Sequence, residues 1–255
     1  MRFSRTFHRW TGLALALMLG GTVASALPED KAAETKTEEM MSVPLLPRSC
    51  EVDLALSAAP EHLRSGATVY ALEKDGYVRV REGDNPFTCI VNRDHPRVLK
   101  PTCFDRAGAE TIVPKIVYVG KELLAGTPQE SLRQSLAEGF EAGRFRSPER
   151  PGIAYMLSRY NRPFNAADGT LGWFPPHVMF YAPNLTPEDI GFSMDAWHAN
   201  QDLPFIGYQG PQGYMIMLAD DGQARAREDL PSCPDWVHAE NGLAEKPAAH
   251  DSRGR

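Results

Sequence analysis

Four cysteines, Cys50, Cys89, Cys103 and Cys233, constrain this chain more than any other feature, because they follow an N-terminus that looks like an export signal. In an oxidising compartment an even cysteine count reads as a disulfide framework. Four cysteines allow three pairings. The favoured one joins Cys89 to Cys103 as a local clasp and Cys50 to Cys233 as a staple between the two ends of a domain. A competing reading makes Cys89 a catalytic thiol with His95 or His177 as its base, although a thiolate among other exported thiols tends to oxidise. No apolar segment precedes Cys50, which excludes it as a lipid-attachment site.

The export signal consists of a basic region (Arg2, Arg5, Arg9), a mostly apolar run from Thr11 to Val23 and the small residues Ala24-Ser25-Ala26. This pattern predicts cleavage after Ala26 and a periplasmic or secreted product. From Gly12 to Ala26 the run is shorter than the roughly 20 residues a spanning helix needs, so no stable membrane insertion is expected after cleavage. Removing residues 1–26 takes away three of 27 basic residues and none of the 33 acidic ones, and the net charge moves from −6 to −9. That sign argues against nucleic acid or an anionic membrane as partner.

Residues 27–49 are rich in Lys, Glu, Thr, Ala and Pro and lack aromatic side chains, which predicts a disordered linker. Residues 50–239 then form one globular domain, followed by a flexible tail over 240–255. The expected class is α+β, with antiparallel strands, a central helical segment and disulfide staples. Strands are predicted at 67–73, 77–82 and 87–92, the first two joined by an Asp75-Gly76 turn, as three adjacent antiparallel strands. In the second, Val78 and Val80 should face inward, and Tyr77, Arg79 and Arg81 outward. The polar stretch 92–105 reads as an exposed loop held by the clasp; its alternative has Asp94 or Asp105 orienting a catalytic His95.

Helices are predicted over 115–124 and after a Thr127-Pro128-Gln129-Glu130 capping box, with Leu132, Leu136 and Phe140 as an apolar stripe and Gly143 as the stop. Arg144, Arg146 and Arg150 then make a charged loop, with anion recognition as the alternative. Further strands are expected at 152–158, 177–182 and 213–218, with an Asp168-Gly169 turn between the first two.

The strand His177–Ala182, flanked by prolines, is the leading functional candidate. Alternation should turn Val178, Phe180 and Ala182 towards the core and His177, Met179 and Tyr181 towards a working surface. The best functional expectation is small-molecule binding through an aromatic pocket in the second half, with Trp173, Asn184, Trp197 and His198 as contacts. An enzyme alternative uses His177 as general acid or base, supported by Tyr181. A third reading places copper(I) on His177, Met179, Met215 and Met217, since imidazole and thioether suit a soft metal. Phosphate-loop, zinc-peptidase and serine-hydrolase signatures are absent from the sequence. No residue pattern specifies a cofactor or an oligomeric state.

At Gly152-Ile153-Ala154-Tyr155-Met156-Leu157-Ser158 and Pro176-His177-Val178-Met179-Phe180-Tyr181-Ala182-Pro183-Asn184 the chain resembles uncharacterised exported bacterial proteins. The resemblance implies a bacterial secreted context. It implies no activity, fold or functional residue.

Overall fold

A computed structural model describes residues 43–165, 170–219 and 229–239. The export signal, the greater part of the expected linker, the Asp168-Gly169 turn and the C-terminal tail lie outside these residues.

Among the described residues, ten strands and seven α-helices make an α+β fold whose centre is an eight-stranded sheet. Helix α1 (Arg48–Ser57) and the short α2 (Glu61–Arg64) precede β1 (Thr68–Glu73), β2 (Gly76–Arg81), β3 (Thr88–Asn92) and β4 (Lys100–Phe104). Three helices follow: α3 (Arg106–Thr111), α4 (Val113–Leu124) and α5 (Gln129–Glu141). The second half adds β5 (Ile153–Met156), the small β6–β7 hairpin (Phe164–Asn165, Thr170–Leu171) and β8 (His177–Tyr181). It ends with α6 (Met194–Ala199), β9 (Phe205–Tyr208), β10 (Tyr214–Leu218) and α7 (Asp235–Ala239). The strand order is β2-β1-β3-β4-β5-β8-β10-β9.

Packing begins earlier than the expected boundary at Cys50. Leu46 is buried, and Val43 packs against the helical side of the core. The apolar spacing of Val52, Leu54 and Leu56 belongs to α1.

The first three strands are adjacent, but they are not all antiparallel. β2 folds back on one edge of β1, whereas β3 crosses to the other edge and pairs with β1 in parallel. Every other neighbouring pair is antiparallel. In β2 the expected faces are reversed at Tyr77, whose ring is buried and whose hydroxyl donates to Val91 O at 2.5 Å, while Val78 is exposed. Gly120 of α4 lacks the Cβ that would strike this ring. Arg81 donates to the carbonyls of Ala67 and Arg64, and the exposed Arg79 lies 3.7 Å from Glu82.

β4 lies inside the stretch expected to be a loop. Its Pro101 cannot donate to a ladder and argues against a central strand from sequence alone, yet the strand pairs with β3 and β5. The pairing sets Cys89 opposite Cys103, with Cα atoms 4.0 Å apart and a disulfide between them. Cys50 and Cys233 form the second disulfide, across 183 residues.

Two cores flank the sheet. Leu54 and Ala55 of α1 and Val237 of α7 pack with Val69, Val91 and the two disulfides. On the opposite face Ile112, Val113 and Ile116 pack with Ile90, Phe104, Ala154, Met179 and Ile216. Helix α4 carries the expected apolar stripe, and Leu132 of α5 joins it through Val119 and Leu123. The predicted capping box at α5 is not made: the Thr127 hydroxyl donates to Glu122 Oε2 at 2.7 Å, and Glu130 pairs with Arg133. Gly143, at φ 72°, does end that segment.

Candidate site: a mixed-charge cavity beneath helices α4 and α5

The β8 face expected to be a working surface is the buried one. His177, Met179 and Tyr181 are 3, 6 and 8 % exposed, whereas Val178 and Phe180 are only half-buried. The strand period was legible, but its sense was not, because alternation alone does not say which face receives the helices.

His177 is a structural histidine. Its Nδ1 lies 2.8 Å from Pro175 O, and its ring meets the Phe174 ring edge-on at 4.8 Å. Burial lowers its pKa to about 4 against the weaker pull of the Pro175 carbonyl, so the ring is neutral near pH 7. An imidazole closed in this way is not positioned as the general acid or base. A base with a lowered folded pKa contributes stability that is complete above the unfolded value near 6.5 and is lost as pH falls towards 4. About 3 kcal/mol of stability is therefore expected to disappear across that window. Urea unfolding at pH 4 to 7 should show the slope, and His177→Gln should flatten it; an unchanged slope would remove this assignment.

The copper set does not assemble. β10 pairs with β8 so that Ile216 lies opposite Met179 and Leu218 opposite His177, while Met215 and Met217 lie opposite Phe180 and Val178. His177 and Met179 therefore share one face of the sheet, and Met215 and Met217 share the other. Among the described residues no group of three or more His, Cys, Asp or Glu could hold a metal ion.

The expected ligand contacts are also dispersed. Trp173 Nε1 donates to Arg159 O at 3.0 Å. Asn184 is an exposed turn residue at φ 60°, a left-handed conformation that asparagine tolerates. Trp197 packs edge-on against Phe205 at 5.4 Å, and His198 is exposed beside it. None of the four lines the cavity beneath α4 and α5.

That cavity, of about 540 Å³, lies on the face of the sheet covered by α4 and α5. Phe104, Met156, Met179 and Tyr181 contribute its sheet side, and Ile116, Val119 and Leu132 its helical side. Polar groups enter from several elements: Asn92 from β3, Asp94 and His95 from the β3–β4 turn, Lys100 and Thr102 from β4, Lys115 from α4, and Gln129 and Arg133 from α5, where Arg133 pairs with Glu130. Tyr208, Gln212 and Tyr214 approach from the β9–β10 region.

The charges are not balanced. Asp94 pairs with Lys100, their side chains being 56 and 21 % exposed. Enclosure opposes the charge on each, but the mutual attraction wins and is helped by hydrogen bonding: Asp94 is held below the ordinary carboxyl range and Lys100 above the ordinary amine range. Lys115 is different. No carboxylate of the described residues lies within ion-pair distance of it; its Nζ lies 5.9 Å from the centre of the Tyr208 ring. Enclosure, and then repulsion from Lys100, lower its pKa to about 8, against the weaker pull of Asp94.

The neutral groups are fixed around these charges. His95 stacks on Phe164 with ring centres 4.0 Å apart, and its buried Nδ1 has no hydrogen-bond partner. Enclosure lowers its pKa, opposed by Asp94 and assisted by Arg97. Gln212 donates from Nε2 to Thr111 O at 2.8 Å and Arg146 O at 2.9 Å, tying the β9–β10 loop to the ends of α3 and the segment after α5. Tyr181 donates to Asp105 Oδ1 at 3.0 Å and lies 2.9 Å from Ile153 O. Asp105 is thereby structural: its Oδ1 caps α3 at Gly108 N and its Oδ2 accepts from Ile153 N, so it does not orient His95. Arg144 is likewise occupied, stacked over Tyr118 and Phe145.

Lys100 and Lys115 had no place among the expected site residues. Lys115 did leave a sequence signal: it falls three residues after Ile112 and four before Val119, a charge within an apolar helical stripe. Lys100 left none, because its strand was hidden by Pro101.

Fold and site define the class as a disulfide-stapled α+β protein that holds an apolar-walled cavity of mixed charge among its described residues. No family model, curated protein or solved structure matches the chain.

Proposed function

We propose that this is an exported protein that binds a small organic anion in the cavity beneath α4 and α5. The observation that carries the reading is the second lysine: of the cavity's cations Lys100 is answered by Asp94 and Arg133 by Glu130, whereas Lys115 has no carboxylate of the described residues within ion-pair distance and is left to receive an anionic group. A volume of about 540 Å³ suits a ring-containing or branched molecule of drug-like size or smaller. Phe104, Tyr181 and Tyr214 supply apolar area for its body, and Gln212 and the phenols supply orientation. Export is supported by the N-terminal pattern described above. The two disulfides agree with it, and among the described residues no helix is long and apolar enough to cross a membrane. A periplasmic or secreted location follows from that reading.

The test compares 1-naphthoate with neutral 1-naphthamide by isothermal titration calorimetry. The anion is expected to bind at one site, and Lys115→Met to weaken it about tenfold or more, the scale of a charge-assisted hydrogen bond. The amide should change little. Equal affinity for both compounds in both proteins would sink the reading.

A further inference from the structure

We propose that Lys115 is a nucleophilic amine that forms an imine with a ligand carrying both a carbonyl and a carboxylate, such as a keto acid or an aldehyde acid. The inference rests on the anion-binding reading and names the chemistry of the same site. Three features of the geometry point to it. Lys115 projects from the apolar stripe of α4 into a cavity walled by Ile116 and Phe104, with no carboxylate of the described residues in contact. A second cation, Lys100, stands in the same cavity and is held there by Asp94. An imidazole, His95, lines that space with an unpartnered Nδ1.

These positions divide the work. The positive charge of Lys115, with Lys100 beside it in the cavity, draws in the ligand carboxylate, while Lys100 repels a proton on Lys115 and the apolar wall disfavours the ammonium form further. A lysine made partly neutral by desolvation and a neighbouring cation is the activated form of this nucleophile. Its pKa near 8 agrees with that assignment.

The step balances without an added oxidant or reductant. The Nζ lone pair of neutral Lys115 attacks the carbonyl carbon, and the C=O π electrons move to oxygen, which takes up a proton. The nitrogen loses a proton, giving a neutral carbinolamine. Protonation of the hydroxyl lets water leave as the C=N bond forms, and the resulting iminium carries the positive charge that the ammonium form of Lys115 would carry. His95 is the cavity group able to pass these protons.

The experiment uses 4-formylbenzoate as probe and sodium cyanoborohydride, which traps the imine as a stable secondary amine. Intact-mass and peptide mass spectrometry then locate the adduct. Exposed Lys74 and Lys121 are internal controls. Near pH 7.5 the unprotonated fraction of Lys115 exceeds that of an ordinary lysine on the order of a hundredfold. One dominant adduct at Lys115 is expected, formed at least about tenfold faster than at the controls. Its rate should rise with pH and level off above about 8, whereas the rate at the controls should keep rising. Lys115→Arg should abolish the adduct, because a guanidinium preserves the charge but not the nucleophile.

A trapped adduct spread over Lys74, Lys121 and Lys115 at similar rates overturns the proposal. So does 1-naphthoate binding by the natural protein without trapping at Lys115, an outcome that leaves anion binding intact. Failure of the natural protein both to bind 1-naphthoate and to be trapped removes both readings.

Discussion

Replacing Arg93 by Leu is expected to cost about 3–5 kcal/mol of folding stability, the range for removing one partner of a buried ion pair. Arg93 and Glu51 are fully buried side chains in contact, the first just beyond β3 and the second on α1. Arg93 also donates to Pro44 O at 3.1 Å, so it fastens the segment before α1 to the sheet. Without the guanidinium, Glu51 keeps its burial and loses its counter-charge. Even with Arg93 present, burial already lifts the Glu51 carboxyl above its ordinary range.

The sign of the pH effect follows. A carboxyl with a raised folded pKa favours the fold in its protonated form, and that contribution fades as pH rises through the folded value. The deficit of Arg93→Leu should therefore shrink towards pH 5. Urea unfolding at pH 5 and pH 7.5 measures both effects. The double substitution Glu51→Leu with Arg93→Leu should recover much of the loss, since apolar replacement of a buried pair is often near neutral. A single-variant loss below about 1 kcal/mol, or no recovery in the double variant, would show that the pair does not hold α1 to the sheet.

Removing the Cys50–Cys233 disulfide is the other large effect. Its 183-residue separation closes a long loop, and chain-entropy arguments give about 5 kcal/mol for that constraint, against about 3 for the 14-residue Cys89–Cys103 loop. The native packing around the staple is well formed. Leu230, Cys233 and Val237 are buried against α1, so the C-terminal segment retains contacts after the bond is lost. The paired replacements Cys50→Ala/Cys233→Ala and Cys89→Ala/Cys103→Ala, unfolded in urea under non-reducing conditions, should rank in that order. A larger loss from the shorter bridge would mean that native contacts in the β3–β4 hairpin, rather than restriction of the unfolded chain, dominate.

Local signals carried much of this fold. The apolar spacing Ile116, Val119, Leu123 made α4 visible, and the runs 177–182 and 213–218 made β8 and β10 visible, because both periods are written in neighbouring residues. Asp75-Gly76 likewise announced the β1–β2 hairpin, with Gly76 at φ 127°. The parallel placement of β3 had no such signal. It depends on which edge of β1 was open once β2 had folded onto the other.

The cavity was legible only in fragments. Asp94 and His95 stood out as polar density and Tyr181 as part of a marked strand, whereas Lys115 went unmarked although it is a charge in an apolar stripe. Their convergence requires α4 and α5 to cover one face of the sheet. That covering also reversed the expected sense of β8, turning Tyr181 and Met179 inward and separating His177 and Met179 from Met215 and Met217.

Composition and short-range pattern thus determined the α+β class, the presence of a disulfide framework and the existence of the main helices and strands, since each depends on residue type and spacing along the chain, whereas the pairing of the cysteines was fixed by the fold. The face of each strand, the edge taken by β3 and the meeting of Asp94, Lys100 and Lys115 were decided by tertiary packing. Burial is shared between segments distant in sequence, and a two-residue period specifies alternation without specifying which side the helices will cover.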